Sequence, residues 1–178
     1  MQFNFKKSSF VLAFAVCGSA FAADDSATFG VSASIAAQCV VGNTTAMAFE
    51  PLSMLNSVTG GLSAADDTAT ATFDATCTNG SGTPNLTFTS ANGDGAFALM
   101  GGDGSGNDLI AYSLYEGAST SIGIGHDTPV TFADFAANGV VKAMTVTGKI
   151  APGAKNGKPV GTYNDTVTIT VGFTADGA

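Results

Sequence analysis

Arginine is absent from this chain of 178 residues, and six lysines stand against 14 acidic residues. A nucleic-acid-binding surface needs a cationic face to neutralise phosphates, and this sequence has no means of building one. Charge of either sign is sparse, at 11% of residues. The chain is nevertheless unlike a disordered acidic tail, because Val, Ile, Leu and Phe recur throughout it. Long apolar runs are missing too: the one near the N-terminus is too short to span a bilayer as a helix, and no later one is longer. No stretch follows a helical period. With one histidine, His126, and three cysteines, donors for a metal centre are few.

The N-terminus reads as a secretory signal over residues 1–22. Lys6 and Lys7 give the positive start, Ser9 to Gly18 the short apolar run, and Ala20-Phe21-Ala22 a small-x-small cleavage site. The mature chain then begins at Ala23 and has 156 residues, enough for one domain with a real core. Two lysines leave with the signal, so four remain against 14 acids, a net charge of about −10. Cys17 leaves as well. Cys39 and Cys77 are then an even pair in an oxidising compartment, which predicts a disulfide. Closing that loop constrains the unfolded chain by about 4 kcal/mol on the chain-entropy model. The competing reading, a metal pair, is weak because His126 is the only further soft donor.

What is present in quantity is alternation. Between Ser26 and Ile35 the residues Ala27, Phe29, Val31, Ala33 and Ile35 fall on one side, with Thr28, Gly30, Ser32 and Ser34 on the other. This is the period-2 pattern of a strand with one buried face. It precedes the first cysteine of the domain, and Ala36-Ala37-Gln38 follows it as a hinge. One reading is an ordinary first strand folded into its own sandwich. The other is a strand that fills a gap in a neighbouring copy. Residues 23–36 then form an extension and residues 37–178 the domain proper.

Further on, Gln38 to Val41 reads as the first domain strand and Ala46 to Phe49 as a short apolar piece ended by Pro51. Leu52 to Asp67 is an irregular connection. Thr68 to Cys77 and Asn85 to Ser90 are strands, separated by a turn over 79–84. Ala91 to Asp108 reads as a Gly/Asn/Asp-rich loop with an apolar island at Phe97 to Met100. Leu109 to Tyr115 is a strand, Gly117 to Thr128 a loop, and Pro129 to Phe132 a short strand. Val140 to Ile150 and Thr162 to Phe173 are long alternating strands flanking a Gly/Lys/Pro turn at 152–159. Short strands at regular spacing without helices predict an all-β, immunoglobulin-like β-sandwich.

Several stretches together resemble the spore coat protein U domain family. They are FEPL at Phe49 to Leu52, the Cys39/Cys77 pair, LIAYSLYE at Leu109 to Glu116, VTGKIAPG at Val146 to Gly153, and PVGTYNDTVTITVGF at Pro159 to Phe173 with its Gly-x-Tyr-x-Asp lead-in. The Gly/Asp loop at Gly101 to Asp108 has no counterpart in that pattern. The resemblance implies a pilin of an archaic chaperone-usher pilus: an incomplete immunoglobulin-like sandwich lacking its last strand, with an N-terminal donor-strand extension. A periplasmic chaperone lends a strand first, and the extension of the next subunit replaces it, a case of β-augmentation. On this reading the partners are other copies or sister pilins, the chaperone and an outer-membrane usher, with no nucleic acid, no membrane insertion and no cofactor. The product is exported to the periplasm and then to the surface of a Gram-negative cell.

The donor residues are then Ala27, Phe29, Val31, Ala33 and Ile35. The acceptor groove falls to Val40, Val167, Ile169, Val171 and Phe173. Burying Phe29, Val31 and Ile35 contributes about 1.5–3 kcal/mol each. Because donor and groove are different surfaces, the contact does not close on itself and gives an open filament.

Catalysis has little support. His126 in a Gly-rich loop reads as exposed, and its neighbour Asp127 is expected to point away from it. No nucleophile motif accompanies them. Asp24-Asp25 and Asp66-Asp67 read as solvated charges. The 101–108 loop fails both the nonapeptide and the EF-hand calcium patterns, so no metal residue is assigned. The remaining alternatives to a pilin are a self-contained secreted carbohydrate- or surface-binding β-sandwich and, remotely, a secreted hydrolase relying on His126.

Overall fold

The computed structural model describes residues 26–56, 59–101 and 108–174. The signal segment, Cys17, Asp24-Asp25 and most of the Gly101–Asp108 loop therefore lie outside the described residues. The chain divides into two units, Met1–Ser34 and Ile35–Ala178. In the first, the described residues 26–34 belong to no strand and are exposed, Phe29 and Val31 among them.

The second unit is an immunoglobulin-like β-sandwich with nine strands among its described residues: β1 (Cys39–Gly42), β2 (Asp67–Cys77), β3 (Asn85–Ser90), β4 (Phe97–Gly101), β5 (Leu109–Glu116), β6 (Gly123–Ile124), β7 (Lys142–Ile150), β8 (Tyr163–Asn164) and β9 (Val167–Gly172). One sheet runs β1-β2-β7-β5-β4-β8, with β6 on β5; the other pairs β3 with β9. All these pairs are antiparallel.

Alternation explains the core. Along β2, Phe73, Ala75 and Cys77 are buried while Thr68, Thr70 and Thr72 are exposed. Leu86 and Phe88 of β3, Ile110, Tyr112 and Leu114 of β5, and Met144, Val146 and Ile150 of β7 complete it. Phe73, Phe88 and Phe132 form a ring cluster with centroids 6.0–6.2 Å apart, a spacing that adds specific aromatic contact to area burial. Cys39 and Cys77 are register partners across β1 and β2 and are bonded as a disulfide.

Several elements differ from the sequence reading, the two-residue strand β6 inside the stretch read as a loop among them. The apolar island at 97–101 is a true strand, because Phe97–Met100 pairs with Leu109–Tyr112. The 129–132 stretch is only a bridge, Val130 to Leu86. Val140 and Val141 lie before β7 and are exposed. The closing stretch is two strands rather than one: β8 pairs with β4, the chain breaks at Asp165-Thr166, and β9 pairs with β3. The alternation runs unbroken through that break, so the sequence pattern does not register the change of sheet.

Candidate functional site

Strands β1 and β9 mark the place where the sandwich does not close. β1 pairs with β2 on one side, and β9 with β3 on one side. Among the described residues neither has a ladder partner on its other edge. β3, by contrast, is covered on its far edge by the 126–130 segment, through Leu86 N–H to Val130 O at 2.8 Å and Asp127 N–H to Phe88 O at 3.0 Å. An unpaired edge over an apolar interior is a template for a further strand.

Beyond β1, between the chain leaving that strand and the stretch from β8 into β9, runs a groove with two cavities. One, about 440 Å³, lies between residues 44–49 and 164–169 and reaches the core residues Phe73, Phe88 and Leu114. The other, about 590 Å³, lies between residues 47–54 and 158–164. One wall is therefore the chain leaving β1 and the other is β8, the break and β9. The first wall is not a strand over residues 43–54. It is held instead by Thr45, whose N–H donates to Thr72 O at 2.8 Å and whose Oγ1 accepts from Thr72 N–H at 2.7 Å.

Val167, Ile169 and Val171 share the inward face of β9 and are half-buried. Phe173 lies just past that strand, 37% exposed. Val40 is on the outer face of β1; the side chains of that strand that pack on the core are Cys39 and Val41. The core-facing position is thus Val41, one residue on from Val40. Sequence reasoning did not assign Met47, Phe49, Leu52 and Leu99 to the groove. The first two were legible as an inward-facing pair two residues apart in the AMAF piece.

The break in the second wall is pinned by a polar hub. Asp165 Oδ2 accepts from Ser90 Oγ at 2.7 Å and from the Tyr112 hydroxyl at 2.6 Å, while Oδ1 accepts from Thr166 N–H at 2.7 Å. Asn92 Nδ2 donates to Asn164 O at 2.6 Å. Burial, reinforced by the hydrogen bond to Asp165, raises the Tyr112 hydroxyl well above the usual phenol range. A carboxylate on an otherwise apolar strand face was the signal for this hub in the sequence.

His126 is not the exposed loop residue expected. Its side chain is 6% exposed, its ring edge meets Phe97, and Nε2 accepts from Ser90 N–H at 3.1 Å. Asp127 does not point away either: its carboxylate lies 3.1 Å from His126 Nδ1. The left-handed backbone at Asp127, φ +52°, folds it back. With Nε2 engaged by a backbone amide and Ser90 Oγ turned to Asp165, the arrangement holds no free general base beside a hydroxyl nucleophile. Lys155, read as part of a Gly/Lys/Pro turn, is 1% exposed and paired with Asp67. Among the described residues no group of three or more His, Cys, Asp or Glu is placed to hold a metal ion, and no helix is long and apolar enough to cross a membrane.

Residues 25–170 match the model of the Spore Coat Protein U domain family. No curated protein matches the chain. Among solved structures it is similar to a chain of the CsuC–CsuE chaperone–tip adhesion subunit pre-assembly complex from the archaic chaperone-usher Csu pili of Acinetobacter baumannii. The identity is 16% and the TM-score 0.48, over 77% of this chain and 40% of that one. It is also similar to a chain from a chaperone–tip adhesin complex of CFA/I fimbriae biogenesis, at 13% identity and TM-score 0.47, over 79% and 42%. The chain spans about two fifths of the length of these solved chains.

Proposed function

The chain belongs to the Spore Coat Protein U domain family, and from that premise we propose that it is a non-enzymatic shaft subunit of a surface pilus, polymerising by donor-strand exchange for adhesion and biofilm formation. The observation that carries the reading is a match of supply and demand. The groove between residues 44–49 and the 164–169 stretch opens onto the core residues Phe73, Phe88 and Leu114. The segment ahead of the domain alternates apolar and polar, and its Phe29, Val31 and Ile35 are 84–90% exposed. Large side chains left in water at that density mark an interaction surface. An incoming strand would satisfy backbone groups on both edges and remove those side chains from water.

The proposed partners are other copies of the chain or sister pilins joined head to tail, a periplasmic chaperone that covers the groove before assembly, and an outer-membrane usher. The proposed route is export to the periplasm and then to the surface of a Gram-negative cell. The test is deletion of residues 23–35. The truncated subunit is expected to bind its chaperone and to accept a peptide of residues 26–36, but not to polymerise. Polymers formed by the truncated chain would overturn the proposal. A full mature chain that stays monomeric, melts high and ignores the peptide would favour a self-contained surface-binding sandwich instead.

A further inference from the structure

The two cavities of the groove are separated by side chains that line both: Met47 and Phe49 from the first wall, Leu99 from β4 and Asn164 from the second wall. Met47 and Phe49 reach this position because of Gly148 in the middle of β7. A methyl group built on Gly148 would overlap Met47 Sδ and lie 2.9 Å from Phe49 Cζ. The glycine is thus a notch that lets both side chains settle on the sheet, and Phe49 then meets Tyr112 edge-on at 6.3 Å. Glycine inside a strand marks such close approach. The outcome is a groove of two cavities with Met47, Phe49, Leu99 and Asn164 as the divide between them.

The exposed segment has the complementary size pattern. Along its apolar side the order is Ala27, Phe29, Val31, Ala33, Ile35. One small side chain stands between large ones, with about 7 Å of strand to each neighbour. Resting on the donor-strand reading above, we infer that Met47 and Phe49, seated over Gly148, set the register of the incoming strand by admitting only the small Ala33 of a second copy at the divide. Phe29 and Val31 then occupy one compartment and Ile35 the other, whichever way the strand runs. A slip of two residues in either direction would place Val31 or Ile35 on the divide.

The experiment uses the full mature chain, with polymerisation followed over time as ladders on unheated denaturing gels. The wild-type chain is expected to polymerise. A33L is expected to slow assembly about 5- to 160-fold, the factor that corresponds to overpacking by one large side chain. Adding M47A to A33L lowers the divide and is expected to restore assembly. Equal assembly by A33L and wild type would overturn the inference. So would failure of the A33L/M47A chain where M47A alone assembles. Should M47A alone not assemble, peptides of residues 26–36 decide, added as competitors to the wild-type chain: equal inhibition with and without A33L overturns the inference, and weaker inhibition with A33L supports it. A wild-type chain that neither polymerises nor responds to the peptide would remove the donor-strand reading itself.

Discussion

The inward faces of β2 and β9 carry the same kind of sequence and meet different fates. On β2, Phe73, Ala75 and Cys77 alternate with polar residues and are almost wholly buried. On β9, Val167, Ile169 and Val171 alternate with threonines as regularly, yet stay half-buried. The difference lies in the neighbours. β2 sits between β1 and β7, whereas β9 has β3 on one side and the groove on the other. Alternation therefore tells which way a residue faces; it does not tell whether anything covers it.

The largest expected effect is on the closed side. Phe73→Ala removes a ring packed against Phe88 and Phe132 and is expected to cost about 3–5 kcal/mol of subunit stability. Ile169→Ala, on the open side, is expected to cost only about 1 kcal/mol in the unpolymerised subunit, since roughly half its burial is still to come. Denaturant midpoints measure both. With donor peptide bound, the Ile169→Ala cost should rise while the Phe73→Ala cost stays put. Equal behaviour of the two would mean the β9 side is already complete.

A smaller effect is expected where the second wall changes sheets. Asp165→Ala removes the acceptor for Ser90, Tyr112 and the Thr166 N–H and leaves two hydroxyls to find new partners. Hydrogen bonds to a charged group put the cost at about 3 kcal/mol. Because β8 and β9 diverge at this residue, the loss should also weaken donor-peptide binding. Wild-type affinity in Asp165→Ala would show that the hub holds the core but not the groove wall.

Much of the fold was legible from residue alternation and turn composition. β2, β3, β5 and most of β7 follow directly from their patterns, and the Cys39–Cys77 bond follows from an even pair in a chain read as exported. What was hidden depended on long-range pairing. Phe97–Gly101 became a strand because Leu109–Tyr112 was available beside it, and Tyr163–Gly172 became two strands because two different partners claim its halves. Of the β9 side, Val167 and Ile169 line the cavity; the phase of the four-residue β1 was not legible in the sequence, and Val41 rather than Val40 packs on the core. Lys155 gave no sequence signal at all. Its burial comes from the turn at Pro152–Lys155 folding against Asp67.

The smallest expected effect concerns Tyr112 and alkaline pH. Its phenol is raised by burial and by the adjacent Asp165 carboxylate, since a phenolate there would be both desolvated and repelled. In the unfolded chain a tyrosine gives up its proton near pH 10, while in the folded chain Tyr112 keeps it. The folded state therefore binds more protons above that pH, so stability is intact below about pH 10 and declines above it, by at most about 1.4 kcal/mol per unit. Lys149, raised chiefly by its hydrogen bond to Asp66, pulls in the same direction, so the decline has more than one source. Tyr112→Phe is expected to cost about 1 kcal/mol at neutral pH through the lost hydrogen bond, and to have a shallower decline than wild type between pH 10 and 12. Parallel declines for the two proteins would mean that solvent from the groove reaches the Tyr112 hydroxyl, and the boundary between the closed and the open side would have to be drawn on the other side of that residue.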